Sequence, residues 1–335
     1  MIVTSPHLVA EEELHRGRPA SAAIEVAGLS KTYRSGLVAV NDVTLTVPPG
    51  TVLGLLGPNG AGKTTTIKMI AGLIVPTTGR IRLNGFDVAR QRSQAVRQVG
   101  AVLEGSRNVY WPLSAWQNLL YFGRLKGLRG AEIKPRARQL LTDLDLWDRR
   151  DEPVGSYSRG MQQKVAIAAA LITDPPIILL DEPTLGLDVE AGRTVKQWIS
   201  MLAREQGKAV VLTTHQLEVA QQLSDRVAVI RQGRIIADLP TRELLARYAE
   251  DRVQVRIAGT LSGTGSLNGV VLPAGATTEA DGETTRVTLS STDTAELYGF
   301  LAQLATHGAP LVSVSQVQPD LEEIFVRLIH QEHAE

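Results

Sequence analysis

The sequence predicts an α/β protein with a helical insertion, followed by a small C-terminal α+β domain. Three observations predict it. The runs PIILLD (176–181) and KAVVLTTH (208–215) are continuously apolar, the mark of parallel strands covered on both faces. The loop GPNGAGKT (57–64) follows a short apolar strand and leads into a helix. After about residue 246 the composition changes, and DRVQVRIAG alternates Val253, Val255 and Ile257 with polar residues, as a half-buried strand does.

In chain order, AIEVAGLSKTY and VAVNDVTLTV read as strands, and PPG (48–50) as the turn that follows them. TVLGLLG is a buried strand and KTTTIKMIAGL a helix. IRLNGFDV (81–88) reads as a hairpin turning at Asn84-Gly85. Residues 113–171 are mostly helical, an appended bundle. RVAVI-RQG-RIIADL (226–239) closes the first domain as another hairpin. The second domain begins with the alternating strand and continues through a Gly/Thr/Ser-rich stretch (258–286). It then has the strand TRVTLS, a helix at about 293–306, the strand LVSVSQV and a helix opening at PDLEE. There Asp320 and Glu323 have the spacing of a helix cap and its third residue. The expected boundaries are 1–22 for a flexible extension, 23–245 for the main domain with a helical subdomain at about 105–170, and 246–335 for the accessory domain.

Composition excludes several classes. The chain has 335 residues, enough for two domains, and 43% are hydrophobic, enough for a true core. Lys+Arg and Asp+Glu both number 35, so the basic excess of a general nucleic-acid binder is missing and no nucleic-acid partner is expected. There is no cysteine, which removes disulfides, thiolate metal sites and cysteine nucleophiles. No apolar run approaches the roughly 20 residues that span a bilayer. The acidic cluster in MIVTSPHLVAEEELHRGRPASAA stands where a signal peptide would carry positive charge, so the extension is expected to be cytoplasmic.

GPNGAGKT fits G-x-x-x-x-G-K-[ST]. Gly57, Gly60 and Gly62 let the backbone wrap so that successive N–H groups point at phosphate oxygens. The following helix turns its positive end to the same anion. Lys63 brings a charge to the β- and γ-phosphates, and Thr64 a hydroxyl to Mg²⁺. Asp181, ending the strand IILLD, places a carboxylate near that metal, and Glu182 stands beyond the strand end, where a base polarises water.

These motifs, together with YSRGMQQKV (157–165), IILLDEPTLGLD and TTH in this order, resemble the ATP-binding cassette (ABC) transporter ATPases over about residues 23–245. The resemblance implies a P-loop NTPase fold of the ABC nucleotide-binding type, ATP and Mg²⁺ as cofactors, and ATP hydrolysis. It implies that two subunits pack head to tail, a homodimer by expectation, with each ATP held between the phosphate loop of one and the signature of the other. The loop then offers Gly57, Pro58, Asn59, Gly60, Ala61, Gly62, Lys63, Thr64 and Thr65. From the other subunit come Ser158 and Gly160, and Asp188 in LGLD (185–188), the loop that crosses the seam. Tyr33 corresponds to the aromatic that stacks on adenine, and His215 to the switch histidine at the γ-phosphate. Catalysis would fall to Glu182, His215 and Lys63, and the metal to Thr64, Asp181 and Glu104.

Two departures stand out. Arg159 and Met161 replace a glycine and the glutamine of the family's Leu-Ser-Gly-Gly-Gln signature, and Glu104 stands where a glutamine is usual. VLEGSRNVYW, YSRGM and PDLEEIF resemble the drug- and antibiotic-exporter branch, whose ATPases work with separate transmembrane permease subunits. The resemblance therefore implies a peripheral protein at the cytoplasmic face of the inner membrane. The alternatives are an importer ATPase and a soluble cassette ATPase acting on nucleic acid or ribosomes.

Overall fold

A computed structural model describes residues 22–105, 108–248, 252–259, 270–273, 275–289, 294–317 and 320–331. The expected N-terminal extension lies outside these residues except for its last one. So does part of the Gly/Thr/Ser-rich stretch. The chain divides into two compact units between Thr241 and Arg242.

The first unit holds two sheets. An antiparallel sheet has the order β2-β1-β4-β5, from β1 (Ile24–Thr32), β2 (Val38–Val47), β4 (Thr78–Leu83) and β5 (Phe86–Asp87). β4 and β5 form the expected hairpin. Asn84 (φ 46°) and Gly85 (φ 82°) are both left-handed there, as a type I′ turn demands. The central sheet has the order β10-β9-β3-β8-β7-β6. Its strands are β3 (Val52–Leu56), β6 (Val99–Val102), β7 (Ile177–Asp181), β8 (Ala209–Thr213), β9 (Arg226–Arg231) and β10 (Arg234–Pro240). β6, β7, β8, β3 and β9 pair in parallel, and β10 closes the edge antiparallel to β9.

The two faces of this sheet explain its continuous apolar runs. Ile177, Leu179, Ala209 and Val211 pack in one core with β1, β2 and helix α1 (Lys63–Ile70). Ile178, Leu180, Val210 and Leu212 pack in the other. That second core is completed by helices α3 (Ala115–Leu125), α4 (Gly130–Asp143), α5 (Arg159–Leu171) and α6 (Val189–Arg204). Between these lie α2 (Arg92–Arg97) before the helical region and α7 (Leu217–Leu223) after β8. Among the described residues no helix is long and apolar enough to cross a membrane.

The second unit is a four-stranded antiparallel sheet of order β12-β13-β11-β14. Its strands are β11 (Arg252–Ala258), β12 (Thr277–Asp281), β13 (Thr284–Leu289) and β14 (Leu311–Val317). A short helix, α8 (Thr241–Arg247), lies at the division, and α9 (Thr294–Thr306) and α10 (Leu321–Gln331) follow the strands. Val255, Ile257, Val287, Leu289, Phe300 and Leu304 form its core. The strand β12 falls within the stretch read as merely Gly/Thr/Ser-rich. It pairs along β13 and carries Glu279 and Asp281 against Arg286, so its stability comes from a neighbour and not from its own apolar pattern. At α10, Asp320 Oδ1 accepts from Glu323 N at 2.7 Å, the expected cap.

Candidate functional site

β3 is buried at all five positions and delivers the chain into the glycine-rich loop at the end of the sheet. The loop is tight. A Cβ on Gly57 would lie 2.2 Å from the carbonyl oxygen of Ile230. Gly62 has φ 109°, and a Cβ there would lie 2.4 Å from the Ala39 carbonyl oxygen. Only glycine meets both conditions. α1 then starts at Lys63, whose side chain folds back into the loop. Its Nζ donates to the carbonyls of Gly57 (2.6 Å) and Pro58 (3.1 Å). Burial pulls this ammonium below its ordinary 10.5, and the charges of Glu182, Asp181 and Glu104 offset part of the shift. Three carboxylates thus face this ammonium.

The parallel strands β7 and β8 bring the other half of this cluster. Asp181, 2% exposed, ends β7. Its Oδ1 accepts from Thr213 Oγ1 (2.5 Å) and Thr64 Oγ1 (3.3 Å), and its Oδ2 from the backbone N–H of Glu104 (3.4 Å). Thr213 is completely buried at the end of β8. The hydroxyl that bonds Asp181 also accepts from Glu182 N–H at 3.2 Å. Glu182 itself takes a left-handed backbone (φ 53°), a conformation disfavoured for a residue with a Cβ and held by the bond from its N–H to the Thr213 carbonyl (3.1 Å). The kink aims its carboxylate off the strand end. There Oε2 lies 3.0 Å from His215 Nδ1.

A cavity of about 540 Å³ opens above the loop. Asn59, Gly60, Ala61, Gly62, Lys63, Thr64 and Thr65 line it, with Tyr33, Glu104, Glu182 and His215 on its other walls. Tyr33 stands at the mouth, 37% exposed, with Lys31 Nζ 5.5 Å from its ring centre. An adjoining cavity of about 400 Å³ shares Glu104 and Glu182 and runs to Arg159, Gln162 and Gln163 on α5.

Ser158, Gly160 and Asp188 are placed otherwise. Among the described residues that wall the Lys63 cavity, none of the three appears. Ser158 is the N-cap of α5, accepting from Met161 N–H at 3.3 Å. Asp188 is the N-cap of α6, accepting from Ala191 N–H at 2.8 Å. Both side chains have ordinary structural work within their own chain. No motif in the sequence singles out Thr213. The signal was present: a threonine ending an otherwise apolar buried strand must find a partner for its hydroxyl.

Fold and site together define a phosphate-loop nucleotide triphosphatase. Comparison with known proteins makes the class narrower. Residues 40–185 match the ABC transporter family, and residues 252–315 match a domain of unknown function (DUF8691). The daunorubicin/doxorubicin resistance ATP-binding protein DrrA of Streptomyces peucetius is 36% identical over 312 residues, 91% of this chain and 92% of that one. DrrA3 of Streptomyces coeruleorubidus is 39% identical, covering 92% of this chain and 96% of its own length. Among solved structures, an ATP-binding subunit of an ABC transporter superposes with a TM-score of 0.62 at 32% identity, over 68% of this chain and 93% of that one. The cassette MJ0796, solved as a dimer in a post-hydrolysis state bound to ADP and phosphate, gives 0.60 at 29% identity, over 65% and 99%. The chain belongs to the ABC transporter ATP-binding proteins, in the branch of the drug-resistance and export ATPases, and it is an ATPase. The importer and ribosome-acting alternatives are not favoured.

Proposed function

We propose that two copies of this chain close head to tail on two ATP molecules and so power export through a separate membrane subunit. The observation that carries the reading is the split between two groups of residues. Lys63, Thr64, Glu182 and His215 line one cavity, with Asp181 of the adjoining cavity bonded to Thr64, whereas Ser158, Gly160 and Asp188 line neither.

On this reading the glycine-rich loop and Lys63 hold the phosphates, and Tyr33 at the mouth stacks on the base, a contact worth about 1–3 kcal/mol by analogy with base stacking. The donor set also fits Mg²⁺. Asp181 and the Thr64 hydroxyl offer hard oxygen ligands side by side, with Glu104 beside them. Among the described residues no group of three or more His, Asp or Glu side chains could hold a metal ion by itself, so oxygens of a bound nucleotide would have to complete the set. The ion would supply neutralisation of phosphate charge. Glu182, oriented by its kinked backbone and by His215, accepts the proton of the attacking water. His215 steadies the γ-phosphate. Ser158 and Gly160 of the second copy cover that phosphate from the opposite side, and the loop around Asp188 crosses the seam.

Daunorubicin-resistance and Nod-factor-export proteins among the relatives support export as the direction of transport. The chain would then sit at the cytoplasmic face of the membrane, held there by its permease. Glu182→Gln keeps ATP binding and forms an ATP-dependent dimer on size-exclusion, but loses about 10²–10⁴-fold in phosphate release, the usual contribution of a general base. Near-wild-type turnover would sink the assignment. Purification of the tagged chain from membranes tests the partner: a multi-span subunit should accompany it.

A further inference from the structure

The two departures in the signature each have a partner within the chain. Met161 Sδ accepts from Arg149 Nη1 at 3.4 Å, and the same guanidinium is paired with Glu152 and lies over the Tyr157 ring. That contact stays local. Arg159 reaches further. Its guanidinium rests directly on Gly186 in the LGLD loop. A Cβ added to Gly186 would lie 2.5 Å from Nη1, 2.8 Å from Cζ and 3.2 Å from Nε. Gly186 is left-handed as well (φ 68°), a conformation that favours glycine, and its missing Cβ leaves room for the guanidinium to lie this close.

Two neighbouring contacts run in parallel. Gln163 Nε2 donates to the carbonyl of Pro183 at 3.1 Å, next to Glu182. Gly160 packs so closely on α6 that a Cβ would lie 2.5 Å from Ala191 Cβ. The first turns of α5 therefore grip the segment 183–191 at three places: beside Glu182, at the apex of LGLD and at the start of α6. A glycine at 159, the family's usual residue, would leave the middle of the three bare.

We propose that Arg159 is a positioning residue, a clamp that fixes LGLD to the signature helix and so couples the half-site a chain offers its neighbour to the Glu182 of its own site. This rests on the head-to-tail reading above, and it gives the departure a purpose. When Ser158 and Gly160 engage the partner's nucleotide, the displacement of α5 is passed through the planar guanidinium to Gly186 and along the loop to Glu182. A planar guanidinium packed on the loop transmits such a movement where a bare turn would absorb it.

The test uses the full chain with Arg159→Ala, which leaves the Ser158 cap and the Gly160 packing in place. Two measurements are made. Hydrogen exchange of the nucleotide-free protein should show faster exchange for the amides of 184–188, with α3 and α4 unchanged. Steady-state ATPase assays should show kcat reduced about tenfold, the scale of a misplaced catalytic group. ATP affinity should stay within about twofold, because the phosphate loop is untouched. ATP dependence should also become less cooperative. Unchanged exchange in 184–188, or unchanged kcat, overturns the clamp. The Glu182→Gln dimer reports on the head-to-tail reading separately, so failure of one is told apart from failure of the other.

Discussion

The region around Lys63 and the region around Ser158, the two proposed half-sites, are built in opposite ways. Lys63 is 7% exposed and Asp181 2%, and the polar atoms of both are bonded to other groups of the loop and strands. Ser158 and Arg159 are exposed at the start of a helix. A buried lysine set among carboxylates costs several kcal/mol unless good geometry and further hydrogen bonds compensate it, so this half has to be preorganised by the fold. An exposed helix start carries no such obligation. Its free backbone N–H groups and serine hydroxyl are stable in water and equally ready for an anion. On the head-to-tail reading the contrast teaches where burial and charge compensation are needed: at the groups proposed to hold phosphate, and not at the surface proposed to meet a second copy.

A mixing experiment gives the largest effect and the most direct way to break this contrast. Glu182→Gln and Ser158→Ala each leave both sites of a homodimer impaired. Mixed chains place the intact Glu182 of one opposite the intact Ser158 of the other, so ATPase activity should reappear in the mixture. If both half-sites served the same chain, mixing would add nothing. Next in size, Lys63→Ala should weaken ATP binding by about 10–100-fold, the loss of a charge-assisted bond, read by titration with a fluorescent ATP analogue. It should leave the melting temperature nearly unchanged or raise it, since a desolvated cation has been removed.

Ser158 has two roles to separate. As a cap it is worth about 1 kcal/mol, lost in Ser158→Ala and largely kept in Ser158→Gly. As a phosphate ligand it is lost in both. Ser158→Gly should therefore melt like the wild type and hydrolyse ATP like Ser158→Ala. Normal turnover in Ser158→Gly would reduce Ser158 to a cap.

The smallest effect lies away from the site, where Asp174 joins the helical region to the central sheet through Arg136 of α4 and Lys208 before β8. Burial pushes its carboxyl up, but the Lys208 hydrogen bond with the Lys208 and Arg136 charges outweighs this and holds it below the ordinary 3.8. A depressed carboxylate stabilises the fold above its unfolded value, and that contribution disappears as the pH falls through the folded one. Asp174→Asn should lower the melting temperature at neutral pH and have little effect in strong acid. The size is under about 1 kcal/mol, because the carboxyl is 62% exposed and screened by water.

Much of the chemistry was legible from local order alone. A glycine-rich loop, a buried strand ending in Asp-Glu and a strand ending in TTH declare themselves because their functions depend on short backbone conformations that few residues can adopt. Gly57 and Gly62 are required by contacts of 2.2 and 2.4 Å, and the sequence announces them as glycines. The hairpin at Asn84-Gly85 was legible for the same reason. β12 was not, since its place depends on β13 beside it and on charge pairs across the strands.

By itself, then, the sequence determined the α/β class, the phosphate loop, the acidic strand end and the second domain. Each is written in residues close together in the chain, where periodicity and steric limits act. Only the tertiary structure decided that Thr213 would share its hydroxyl between Asp181 and Glu182, that His215 would lie 3.0 Å from the Glu182 carboxylate, and that Arg159 would lie across Gly186. These contacts join residues 27 to 33 positions apart. They exist because parallel strands bring β7 and β8 into register and because α5 packs beside the start of α6, and no local pattern encodes distances between elements that meet only once the core is closed.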